Sequence, residues 1–153
     1  MWTDKQIDTI THRMRECEKK KHDHLKAALI YDTFDKGTGL PQVILSSILS
    51  TTTLSQLNEE ETSQNLSIFL ACCSVLLAIL TSTTRFFEFA KMKMSHKKTG
   101  HAYGKLQNTL EFELARSEKQ KYDELFENTL NEYNVIRENS HLIPDYFPKA
   151  SCT

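Results

Sequence analysis

The stretch that decides the fold is residues 37–85, GTGLPQVILSSILSTTTLSQLNEEETSQNLSIFLACCSVLLAILTSTTR. The 22 residues 37–58 contain no Asp, Glu, Lys or Arg, and neither do the 23 residues 62–84. Only the three glutamates at 59–61 separate the two uncharged spans. Because a helix rises about 1.5 Å per residue, each span is long enough to cross the roughly 30 Å hydrocarbon core of a bilayer. The pattern predicts a transmembrane hairpin with helices at 40–57 and 64–84 and a turn at 58–63.

The two spans differ in polarity. Thirteen of the 15 residues 66–80 are apolar, which is typical of a helix surrounded by lipid or by a protein core. The first span is less apolar, and it carries seven hydroxyl residues: Ser46, Ser47, Ser50, Thr51, Thr52, Thr53 and Ser55. A membrane tolerates hydroxyl groups better than charges, so we expect this span to insert together with the second. The alternative is a soluble bundle with two buried helices, but a soluble helix normally carries charges on its wet face.

The hydroxyl residues of the first span are the most function-like feature of the sequence. Ser46, Ser50 and Thr53 lie along one stripe of the predicted helix. In a ring of several hairpins, this stripe could line a wet pore. Equally, small hydroxyl residues allow neighbouring helices to approach closely and to hydrogen-bond across their interface. Both interpretations remain open at the level of sequence.

Both flanks of the hairpin are predicted to be helical. Thr3 and Gln6 form a capping box that starts a helix at 3–36, and Gly37 is expected to end it. Apolar residues in this helix follow a coiled-coil heptad stripe. After Arg85 a long helix is expected at 85–140, with a bend near 100–104, and then an irregular tail at 141–153. Four leucines of the long helix are expected to pack against another helix: Leu106, Leu110, Leu114 and Leu125.

The distribution of charge predicts the topology. Eight Lys or Arg residues precede the first span and six follow the second within about 20 residues, whereas the turn has none. The positive-inside rule therefore places both termini in the cytosol and the glutamates at 59–61 outside. The chain of 153 residues is one domain in length, 1–153, and its net charge of −1 gives no reason to expect a nucleic-acid partner.

No motif for catalysis is visible. The sequence has no glycine-rich phosphate loop, nucleophile elbow or carboxylate pair, so we expect no enzyme activity, no catalytic residue and no cofactor. No metal site is expected either, because His22 and His24 lie on different helix faces and the four cysteines lack metal-binding spacing. Solvated or inter-helix histidines are the better interpretation. His96, which has lysines nearby, is a candidate pH sensor.

The whole layout resembles the SLATT family. The similarity rests on the entry GLPQVILSSILS into the first span, the apolar second span, the exit segment 86–106 with Tyr103 and Leu106, and the closing stretch 133–144. This resemblance implies a two-transmembrane module with cytosolic helices that assembles into membrane pores. It also implies an effector of prokaryotic conflict systems that is paired with nucleotide-second-messenger synthases or sensors.

Together these observations predict an all-α integral membrane protein. We expect a homo-oligomeric, pore- or channel-like effector that acts in a lipid bilayer and is triggered by a separate sensor protein. The alternative from a different class is a non-conducting, membrane-anchored scaffold that recruits a partner or shapes the bilayer. A soluble helical adaptor is the third interpretation.

Overall fold

The computed structural model describes residues 2–56, 64–116, 121–144 and 147, and all regular secondary structure in these ranges is α-helical. The four helices are α1 (Asp4–Gln56), α2 (Gln64–Phe87), α3 (Phe89–Ala115) and α4 (Tyr122–Glu138). The predicted all-α class is confirmed. The predicted turn at 58–63 lies outside the described residues, as does most of the predicted tail.

Helix α1 begins with the predicted capping box. The backbone N–H of Thr3 donates to Oε1 of Gln6 over 2.9 Å, and the N–H of Gln6 lies 3.4 Å from the hydroxyl oxygen of Thr3. These reciprocal bonds satisfy N–H groups that have no partner within the helix. Asp4 in the first turn places negative charge at the positive end of the helix dipole.

The predicted end of the first helix at Gly37 is wrong. Helix α1 continues through Gly37, Gly39 and Pro41 for 53 residues in all. A glycine ends a helix by adopting a positive φ, and no glycine in the described ranges does so. Pro41 supplies no N–H to the carbonyl of Gly37, but the loss of this one bond does not end the helix. The hydroxyl of Thr38 adds a local bond, donating to the carbonyl of Phe34 over 2.8 Å.

The prediction of a single helix over 85–140 is also wrong. Helix α2 runs past the predicted limit of 84 to Phe87, and Glu88, with a φ of 44°, separates it from α3. This left-handed conformation is uncommon for a residue with a side chain. A second interruption separates α3 from α4. Helix α3 itself is continuous through Gly100 and Gly104, where a bend was predicted.

The chain packs as two compact units. The first, which we call the arm unit, consists of Met1–Ile30 and Met92–Thr153. The second, which we call the apolar unit, is Tyr31–Lys91. The sequence had predicted one domain over 1–153. Helix α1 contributes residues to both units, and each unit is described below by itself.

The arm unit has its own apolar core, made by the first part of α1 together with α3 and α4. One buried cluster contains Cys17, Tyr103, Leu106 and Tyr133, with Ile136 against it. A second contains Ile10, Leu110 and Leu125, with partly buried Trp2, Met14, Leu114, Tyr122 and Phe126 around it. The leucines predicted for helix packing thus contact α1 of the same chain. The apolar stripes of the two flanks bury each other's surface.

We predict that Leu106→Ala destabilises the arm unit by about 2–5 kcal/mol, because it leaves a cavity in a closely packed cluster. Unfolding by urea in detergent micelles can be followed through Trp2, which is the single tryptophan of the chain and packs in this unit. The matched control is Val135→Ala, since Val135 is exposed on α4. Its effect should stay within about 0.5 kcal/mol. Equal effects of the two substitutions would contradict the assignment of Leu106 to the core.

Candidate functional site

The apolar unit presents an extensive apolar surface. Its large apolar side chains that expose more than half of their surface include Leu40, Val43, Ile44, Ile68, Phe69, Val75, Leu76, Ile79, Phe86 and Phe87. Soluble monomers rarely expose contiguous apolar patches of more than a few hundred Å². An exposed surface of this composition suits lipid or another protein rather than water.

One described segment, Gln64–Ala115, contains a stretch long and apolar enough to cross a membrane. Only 6% of that stretch is buried, whereas the core helix of a soluble protein would be mostly buried. The predicted first span at 40–57 is not apolar enough to be recognised as a membrane-spanning helix by the same measure, because its many hydroxyl residues reduce its hydropathy. The structure thus supports a membrane helix in α2, and the two-helix hairpin remains a prediction.

Polar and aromatic contacts join α1 to the other helical segments within the apolar unit. The side-chain amide of Gln42 donates to the hydroxyl oxygen of Thr84 over 3.1 Å. Phe89, at the start of α3, stacks on Phe34 with ring centroids 5.7 Å apart, and Phe87 stacks on Phe89 at 5.4 Å. No local pattern in the sequence links Gln42 to Thr84, since they lie 42 positions apart.

The predicted pore-lining residues share one hydrogen-bonding arrangement. The hydroxyl of Ser50 donates to the carbonyl of Ser46 over 2.8 Å, and that of Thr53 donates to the carbonyl of Leu49 over 2.7 Å. Ser46 donates to the carbonyl of Val43 over 3.0 Å. Ser50 and Thr53 are exposed, and Ser46 is half-buried. Because each proton is committed to its own helix, the oxygens offer their lone pairs to the surroundings.

The arm unit contains a buried pair of histidines that local spacing could not have revealed. His24 on α1 and His96 on α3 bring their Nδ1 atoms within 2.9 Å. The two side chains are 4% and 0% exposed. An imidazole Nδ1 either donates or accepts, so in the neutral pair one ring carries the shared proton and the other accepts it. By contrast, His12, His22 and His101 are exposed.

Two further rings surround this histidine pair. Tyr103 of α3 stacks on His24 with ring centroids 5.8 Å apart. His141, beyond the end of α4, lies edge-on to His96 at 6.4 Å. Three segments of the arm unit therefore meet at the pair. Within the described ranges, no group of three or more His, Cys, Asp or Glu residues is arranged to hold a metal ion.

Burial keeps both histidines neutral near pH 7. Desolvation, reinforced by the charges of His96 and Lys20 and opposed by that of Asp23, lowers the pKa of His24 to about 4. Desolvation also lowers the pKa of His96, and the neighbouring His141 acts in the same direction. A proton added to the pair would place charge where water cannot solvate it.

Gly100 allows α1 and α3 to approach closely beside the histidine pair. A Cβ atom at Gly100 would lie 3.1 Å from the side chain of Leu25 and 3.3 Å from the carbonyl oxygen of Lys21. At Gly104 a Cβ would lie 3.3 Å from the side chain of Lys21. These glycines were predicted to be points of flexibility, but in the structure they provide room for α1.

A buried phenol joins α4 to α1 next to the same core. The hydroxyl of Tyr133 donates to Oε1 of Glu16 over 2.6 Å, and the guanidinium of Arg13 lies 5.4 Å from the centre of the Tyr133 ring. Burial and this hydrogen bond raise the pKa of Tyr133. Burial, reinforced by Glu16, raises the pKa of the Cys17 thiol to about 11. Both groups stay protonated over the physiological range.

Comparison with known protein families decides the identity of the chain. The sequence profile described as "SMODS and SLOG-associating 2TM effector domain family 4" matches residues 7–134. The chain belongs to this SLATT family. The match extends from α1 to α4, so it covers both units and confirms the resemblance seen in the sequence. Searches of curated proteins and of solved structures find no match. Membership of the SLATT family and the apolar α2 together indicate a membrane protein.

We predict that Gly100→Val destabilises the arm unit of this SLATT chain by about 1–3 kcal/mol, because the added side chain meets Leu25 and the backbone of Lys21. Gly37→Val is the matched control, since nothing lies within 4 Å of a Cβ at Gly37. Valine favours a helix slightly more than glycine does, so the control should be neutral or stabilising. Urea titrations followed by Trp2 fluorescence measure the free energy of unfolding of both variants. Similar losses in the two variants would contradict the close α1–α3 contact.

Proposed function

We propose that this SLATT chain is an oligomeric membrane effector in which the first span of α1 and helix α2 cross the bilayer together and form a pore. The exposed apolar side chains of both segments and the uncharged spans 37–58 and 62–84 support membrane insertion. The two-transmembrane description of the family agrees with the hairpin. A single hairpin cannot enclose a channel, so the pore requires several copies of the chain.

The observation that carries this proposal is the hydroxyl stripe of Ser46, Ser50 and Thr53. Each proton is donated inside the helix, and the oxygens of Ser50 and Thr53 are exposed. In a membrane, such a stripe is better placed against water or a neighbouring polar helix than against lipid. A ring of these stripes would give a wet wall without any charged side chain.

The same proposal assigns a topology and a partner. Both termini are cytosolic in this proposal, because basic residues precede the first span and follow the second, whereas the turn between the spans has none. The family description names association with SMODS and SLOG domains, so a separate sensor or trigger protein is the expected partner. The chain needs no cofactor and carries out no catalytic step in this mechanism.

A membrane-anchored scaffold is the second candidate function. It is favoured by the finding that one described segment, which includes α2, is long and apolar enough to span a bilayer. In this case the arm unit would recruit a partner, and the hydroxyl stripe would pack helices together. Apolar replacements along the stripe would then leave membrane permeability unchanged.

We predict that Ser50→Leu reduces ion flux through liposomes containing the purified chain by about tenfold or more, because leucine replaces an exposed oxygen of the pore wall. The matched control is Ser74→Leu on α2, whose hydroxyl makes the same kind of bond, to the carbonyl of Leu70. The control should retain its flux. Co-flotation with liposomes and cross-linking verify that both variants insert and assemble.

The outcomes separate the candidate functions. Loss of flux in Ser50→Leu alone supports the pore and identifies its wall. Undiminished flux in Ser50→Leu removes this residue from the lining. Insertion of the unaltered chain without flux favours the scaffold, and failure to insert contradicts both membrane functions.

We also predict that the pore prefers cations. The hydroxyl oxygens present lone pairs, which replace part of the hydration shell of a cation but not that of an anion. Reversal potentials across planar bilayers under a KCl gradient should therefore lie near the potassium equilibrium potential. A reversal potential near that of chloride would show that the stripe does not set the selectivity.

A further inference from the structure

The buried histidine pair, His24 and His96, is an unusual contact between two basic groups. Their Nδ1 atoms are 2.9 Å apart, a distance that requires a proton on one nitrogen and a lone pair on the other. Apolar side chains of similar size could fill the same space without this requirement. The proposed pore makes no use of the pair, which lies in the arm unit.

The pair responds differently to its first and second added protons. The first can bind Nε2 of the donating ring, which leaves the Nδ1–H···Nδ1 bond intact with one positive charge. The second must bind Nδ1 of the accepting ring, because its Nε2 already carries a proton. Both Nδ1 atoms then carry hydrogen, no lone pair remains between them, and two imidazolium rings face each other. The contact cannot persist at 2.9 Å in this state.

The charged and titratable groups around the pair do not offset a second charge. On α1, Lys20 opposes protonation of His24, and Asp23 partly compensates. On α3, Tyr103 stacks on His24 as a neutral phenol whose pKa is raised by burial. From the C-terminal segment, His141 faces His96 and opposes its protonation. Acidification therefore adds like charges at one buried point.

The position of the histidine pair determines which buried residues would become exposed if the two rings moved apart. His24 lies seven residues beyond Cys17 on α1, and Tyr103 lies seven residues beyond His96 on α3. These spacings place all four side chains on the facing sides of the two helices, and Cys17 and Tyr103 share a buried cluster. Loss of the histidine contact would therefore admit water to Cys17, which is 1% exposed.

We propose that the His24–His96 pair is an acid-sensitive switch, in which double protonation separates α1 from α3 within the arm unit. The direction follows from proton linkage. Both histidines bind protons less readily when α1 is packed on α3 than when the two helices are separated. The packed state of the arm unit is therefore fully favoured above the ordinary histidine pKa of 6.5. This preference is lost as the pH falls from 6.5 toward about 4, the lowered pKa of His24.

The test measures access to Cys17 in the full-length chain in lipid nanodiscs. Alanine replaces Cys72, Cys73 and Cys152, so that Cys17 is the single thiol. The reagent is 4,4′-dithiodipyridine. The rate at which it modifies the Cys17 thiol is measured at each pH and divided by the rate for the denatured chain at the same pH. We expect this ratio to rise about tenfold or more between about pH 7.5 and about pH 4.5, because the histidines of the packed arm unit resist protonation.

Two variants distinguish the switch from general acid unfolding. His22→Gln removes an exposed histidine on the same helix and should leave the rise unchanged. His24→Asn combined with His96→Asn keeps hydrogen-bonding amides but removes both titrating rings, so the ratio should change by less than about twofold. An equal rise in the double variant, or no rise in the unaltered chain, overturns the proposal.

A second measurement needs no substitution at the pair. Nitrogen-15 NMR of the histidine rings in the unaltered chain reports the protonation state of each nitrogen. At about pH 7.5 one ring of the pair should carry its proton on Nδ1 and the other on Nε2. Both should gain a further proton only below the ordinary histidine pKa of about 6.5. Protonation of both rings near pH 6.5, the ordinary histidine pKa, while Cys17 stays protected, overturns the proposal whatever the behaviour of the variants.

Discussion

The constraint on which the rest of the structure depends is that apolar surroundings cannot solvate a backbone. Many large apolar side chains of residues 31–53 and 64–91 are exposed, and an α-helix satisfies its own N–H and C=O groups in apolar surroundings. Ending α1 at Gly37 would leave up to four carbonyls without helical partners just before the uncharged span. Continuing through Pro41 loses one bond. The long α1 is thus the less costly arrangement for this uncharged segment.

The hydrogen bonds of the hydroxyl residues follow from the same constraint. A Ser or Thr side chain in an apolar environment must find an acceptor, and the nearest is the carbonyl one turn earlier in its own helix. This is the arrangement at Ser46, Ser50 and Thr53. It makes a polar stripe tolerable in a membrane, and it also determines which atoms of the stripe face outward. One local bond therefore serves both folding and the proposed pore.

The arm unit solves a different problem, since its surface is charged and its apolar stripes can pack on each other. Leu106, Leu110 and Leu125 are buried against α1, so these stripes do not need a second subunit to cover them. The histidine pair is a polar exception in this packing. Two neutral rings that share one proton satisfy each other at neutral pH, but the same burial makes any additional charge unfavourable.

The sequence by itself determined the features that depend on neighbouring residues. These are the uncharged spans, the capping box of Thr3 and Gln6, the helical class and the leucine stripe, because charge, capping and periodicity all act within a few turns of a helix. Only the tertiary structure decided that α1 continues through Gly37 and that Gly100 makes room for a neighbouring helix, since a glycine can end a helix, continue it or allow a close approach. It alone brought His24 to His96 across 72 residues of sequence. Such contacts depend on how two helices pack, and a periodic pattern shows which face is buried but not which side chains meet there.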